Sequence, residues 1–85
     1  MASDRTALAL LRRRQVEAES GLSRSTLYLR ISQGLWTPPV KLGPRAVGWP
    51  AHEVEAVNGA RVAGQGDEQI RRLVARLVAA RGKVA

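Results

Sequence analysis

Gly21, Leu22 and Ser23 break the first half of the chain between two short helices, and that break constrains the fold more than any other feature. A glycine placed to close one helix in the left-handed conformation, an apolar plug, and a serine placed to cap the next make the punctuation of a helix-turn-helix. Before the break, Gln15 to Ser20 is expected as a helix with Val16 inward. After it, the spacing puts Leu27 and Ile31 on one face, to pack on Val16 and Leu22, while Ser25, Tyr28, Leu29 and Ser32 point the other way. Ser23 is expected to accept a bond from a free amide of the first turn. Arg24, Ser25 and Thr26 then crowd the helix start, where anions are best held. Gly34 stops this second helix.

The charge balance says what such a helix would meet. Fourteen Lys and Arg stand against seven Asp and Glu, a formal net charge of +7 in 85 residues, and all but two of the bases are Arg. Arg suits phosphate and base edges through its planar fork, so the expected partner is a polyanion. A chain this short buries only roughly 60 to 65% of its unfolded surface, which disfavours a deep catalytic cleft. There is no Cys, and His52 is the one His. Neither a disulfide framework, a metal centre nor a cofactor is expected. No catalytic residue is assigned, because no nucleophile, base and orienting group are recognisable together. Ala7 to Leu11 is among the longest apolar runs and is far short of a membrane span, so a cytoplasmic protein with no membrane partner is expected.

Along the rest of the chain, Met1 to Thr6 reads as a loose arm. Leu8, Leu10 and Leu11 form either a short strand or the lead into the first helix, followed by the charge run Arg12, Arg13 and Arg14, which reads as a solvated face able to add phosphate attraction. Trp36 to Pro39 is restricted and extended. Val40 to Leu42 and Ala46 to Trp49 read as two strands about the turn Gly43, Pro44 and Arg45: a wing with Arg45 at its tip. Trp36 and Trp49 are expected in the core. A third helix starts after Pro50 and carries Val54 and Val57; it ends either at Asn58 and Gly59 or a few residues later. Gly64 to Gly66 reads as a flexible linker. Beyond it Ile70, Leu73, Val74, Leu77 and Val78 make one stripe of a fourth helix, with acids at its start. This stripe either covers its own domain or pairs with another copy, and self-association is the favoured reading because a glycine linker precedes it.

The blocks GLSRSTLY at Gly21 to Tyr28 and VKLGPRAVGW at Val40 to Trp49, with Val16, Gly34 and the EVEA run at Glu53 to Ala56, resemble the AlpA family of phage-type regulators, related to excisionases and MerR-like winged helix-turn-helix proteins. The resemblance spans roughly residues 10 to 60. It implies a winged helix-turn-helix at 10–63, and with the arm at 1–9, the linker at 64–66 and the amphipathic helix at 67–82 read from the chain's own pattern the expected fold is mainly α with a small β-hairpin. It also implies sequence-specific binding of double-stranded DNA, the second helix in the major groove and the wing on the backbone or minor groove. Carried over by position, Ser23, Arg24, Ser25, Thr26 and Tyr28 match the DNA-facing helix, and Lys41 and Arg45 match the wing. Where the family commonly has Arg after the Tyr, this chain has Leu29 and then Arg30; Arg30 is kept as a DNA candidate, and Leu29 suits a thymine methyl. A homodimer or cooperative multimer on DNA, and an integrase, are the protein partners such a regulator or excisionase would take. An RNA-binding basic protein and an antitoxin-like interaction module remain the alternatives.

Overall fold

The computed structural model describes residues 9–83, so the arm at Met1 to Thr6 and Leu8 lie outside the described residues. The first helix, α1 (Arg13–Ser20), starts two residues earlier than the sequence suggests. Its start is set by Gln15, whose Oε1 accepts the Arg12 backbone N–H at 2.8 Å and so makes Arg12 the cap. Gly21 closes α1 at φ 74°, its N–H donating to the Glu17 carbonyl at 2.9 Å. Leu22 packs against the core, and α2 (Arg24–Ser32) follows from the Ser23 cap. Val16 and Leu27 are fully buried and Ile31 partly so, the face anticipated from spacing. Gly34, at φ 75°, ends α2.

Three strands, not two, make the sheet. The ambiguous leucines resolve as β1 (Leu10–Leu11), which pairs antiparallel with β3 (Ala46–Pro50), and β3 pairs on its other edge with β2 (Val40–Gly43). The registers Leu11↔Trp49 and Lys41↔Val47 put these side chains toward one face, with Leu11 and Trp49 in the core. Leu10 and Leu42 stay exposed on the opposite face and flank Gly48. A methyl at Gly48 would come within 2.9 Å of Leu42 Cδ1, the movable end of an exposed side chain, and 3.3 Å of the Leu11 carbonyl, so the centre of the sheet is tightly packed around this glycine. Trp49 donates from Nε1 to the Thr37 carbonyl at 2.8 Å, which fastens the extended segment before β2 to the core.

From Pro50, at φ −59°, α3 runs Ala51–Val62 and passes through Gly59. The glycine is exposed, whereas Ala60 beyond it is buried, and that burial together with the continued backbone bonds offsets the roughly 1 kcal/mol that a helical glycine costs. The stop falls at Gly64, φ 82°. The segment read as a flexible linker is a hydrogen-bonded turn: Gln65 N–H donates to the Ala60 carbonyl at 3.1 Å, and Arg61 pairs with Asp67 across it at 3.1 Å.

The last helix, α4 (Asp67–Ala80), lies against α3 and ends in a 3-10 turn at Arg81–Lys83. Of the two readings of its stripe, the inward one describes this chain. Ile70 and Val74 belong to the core that holds Val16, Leu27 and Trp49, and Leu73 and Leu77 pack at its margin; Val78 alone of the stripe is exposed. With its two central residues committed to the chain's own interior, the stripe covers its own domain. Side-chain bonds to distant backbone reinforce the arrangement. Arg71 Nε donates to the Gln33 carbonyl at 2.9 Å, tying α4 to the end of α2, and Asn58 Nδ2 donates to the Glu19 carbonyl at 3.1 Å, tying α3 to the end of α1. The fold is mainly α, a winged helix-turn-helix with one added C-terminal helix.

Candidate nucleic-acid interface

Ser23 organises the start of α2. Its Oγ accepts the Thr26 amide at 3.3 Å and donates to Thr26 Oγ1 at 3.0 Å, with Ser25 Oγ 3.4 Å away. Three hydroxyls thus form one cluster at the positive end of the helix, where backbone donors and dipole favour an anion. Ser23, Arg24 and Ser25 are exposed, and Thr26 is half-buried beneath them. One turn on, Tyr28 and Leu29 are 39% and 55% exposed. The Tyr28 ring meets Trp49 edge-on, centroids 6.4 Å apart, so it is both packed and partly presented outward. Arg30 is half-buried in the last turn, at the negative end of the helix dipole, which favours a cation.

The wing supplies the second group. Arg45 stands at the turn between β2 and β3 and is exposed, as is Lys41 on β2. Lys41 lies opposite Val47, which sets its side chain on the Val47 face of the ribbon, and the register slips between Lys41 and Gly43. The face also carries a feature that the sequence reading did not join. Arg12, Arg13 and Arg14 at the start of α1 converge with Arg45 and Val47 on an open concavity of about 350 Å³. The charge run was visible in the sequence, but its approach to the wing tip depends on β1 pairing with β3, for which two leucines give almost no signal.

Glu53 is fully buried in the first turn of α3. Arg81 grips it with both arms, Nε to Oε2 at 2.8 Å and Nη2 to Oε1 at 2.7 Å, and Nη2 also donates to the Pro38 carbonyl at 2.7 Å. This bidentate pair joins the chain's last turn to the segment leading into the wing. His52 is half-buried on α3, and among the described residues no three His, Asp or Glu are grouped to hold a metal.

Residues 9–56 match the model of a phage protein family described as prophage CP4-57 regulatory protein (AlpA). The chain belongs to the AlpA family. One relative is uncharacterized protein ORF88 of Enterobacteria phage P4, 47% identical over 45 residues, which are 53% of this chain and 51% of that protein. The chain therefore spans about half the length of that curated relative. No solved structure matches. The AlpA match runs from β1 into α3, so it contains α2, the wing and all four arginines of the concavity. It stops before α4 and Arg81, which in this member of the AlpA family complete the core and the buried ion pair. No helix of the described residues is long and apolar enough to cross a membrane.

Proposed function

We propose that this AlpA-family chain is a double-stranded DNA-binding regulator of a phage or mobile element, with α2 entering the major groove and the wing lying on the backbone or minor groove. The observation that carries the reading is the division of α2. One face is spent on the core through Leu27 and Ile31, the other holds Ser25, Tyr28 and Leu29 outward, and Arg24 stands exposed in the first turn at the serine-capped positive end. Roles follow from chemistry. Ser23, Ser25 and Thr26 offer hydroxyls, Arg24 a fork for phosphate or guanine, Tyr28 a hydroxyl for phosphate, and Leu29 an apolar tip for a thymine methyl. Arg30, Lys41 and Arg45 add cations on either flank. Promoter control and excision make the same demands on one module, since both need a register on the duplex, and an excisionase adds bending by side-by-side copies with an integrase nearby.

Selection of bound sequences from random duplex DNA tests the reading. A recovered motif is expected, with log K falling against log salt at a slope of roughly 4 to 5 in magnitude if about 5 phosphates are neutralised. No motif together with a slope near zero, or tighter binding of structured RNA, overturns it. Bending of the selected site in a circular-permutation gel favours the excisionase role.

A further inference from the structure

The concavity between α1 and the wing has an unusual lining. Arg12, Arg13, Arg14 and Arg45 surround it with Val47, and among the described residues no carboxylate lines it. Arg13 is committed to an ion pair with Glu17 on its own helix, whereas Arg12, Arg14 and Arg45, all exposed, pair with no carboxylate among the described residues. Like charges gathered from two remote segments repel one another unless an anion sits among them. Four of the five lining residues are arginines, so guanidinium forks are the chief donors the concavity offers. Forks from several directions suit a group with charge spread over several oxygens, and Val47 gives their aliphatic stems an apolar wall. At about 350 Å³ the space lies at the lower end of the range of small-ligand pockets, enough for a phosphodiester with part of its sugar.

We propose that this concavity is a seat for a backbone phosphodiester of duplex DNA, held by Arg12, Arg14 and Arg45 without regard to base sequence. The inference rests on the duplex-binding reading and adds to it a contact from α1, an element that the sequence resemblance did not place on the DNA. The seat fixes the wing tip and the start of α1 on the same phosphate, so it sets the register from which α2 reaches the bases.

The test uses the full chain, its selected duplex, a scrambled duplex, and the variants Arg14→Gln/Arg45→Gln and Arg14→Lys/Arg45→Lys. The glutamine pair is expected to bind both duplexes about tenfold more weakly at 0.1 M salt and to lower the salt slope by about 1. The ratio between the two duplexes is expected to hold, because the seat reads no base. Ethylation of one particular phosphate should block the wild type and cease to matter for the glutamine pair, while the lysine pair keeps most of the slope. Circular dichroism melting separates these effects from loss of fold. A wild-type slope and ethylation pattern in a folded glutamine pair would overturn the seat while leaving the duplex reading intact. Absence of duplex binding by the wild type would overturn both.

Discussion

One oxygen, Ser23 Oγ, both caps α2 and aligns the hydroxyls of Ser25 and Thr26, while its neighbour Arg24 reaches into solvent. The two residues should therefore separate on mutation. Ser23→Ala is expected to lower stability by about 1 kcal/mol in urea unfolding, whereas Arg24→Ala should stay within about 0.5 kcal/mol of the wild type yet weaken duplex binding in gel shift. Equal loss of stability in both would show that Arg24 serves the fold. The Glu53–Arg81 pair behaves differently because its carboxylate has no water. Arg81→Met should cost about 2 to 4 kcal/mol in the same assay, toward the lower end for a buried pair since Arg81 itself remains partly wet. Ser23 was legible because a cap is a local signal, a serine ahead of a helical run. Glu53 was not, since its partner lies 28 residues away and an acid in a first helical turn ordinarily answers to the dipole alone.

Among the elements, α4 shows most clearly what periodicity can and cannot report. The spacing of Ile70, Leu73, Val74 and Leu77 is enough to say that one face is buried, but the surface covering it is α3 and the shared core, and that is fixed by contacts far along the chain. The glycines before it suggested a tether; in fact Gly64 supplies a left-handed stop, and the Arg61–Asp67 pair closes the turn. Ile70→Ala is expected to cost about 3 kcal/mol and to destabilise the whole domain in one transition. Its unfolding midpoint should not move with protein concentration, whereas a midpoint rising with concentration would restore the stripe as a contact between copies. The wing was legible for the opposite reason: Gly43, Pro44 and Arg45 between two β-prone runs define a hairpin locally. Its third strand was not, because β1 is only two residues long.

At the scale of the whole molecule, an excess of seven positive charges is distributed over a core that needs α4 to close it. The family match ends within α3, so the recognised part supplies α2 and the wing, and the remainder supplies the support that holds them. Asn58 on the end of α1, Arg71 on the end of α2 and Arg81 behind the wing segment are side-chain ties between these parts. The central claim is that the outward face of α2 and the wing tip together meet duplex DNA. Backbone amide shifts followed by NMR during titration with the selected duplex test it most directly. The largest changes are expected at Ser23 to Arg30 and at Gly43 to Ala46, with α4 nearly silent. Changes concentrated on α4, with α2 and the wing unmoved, would contradict the account.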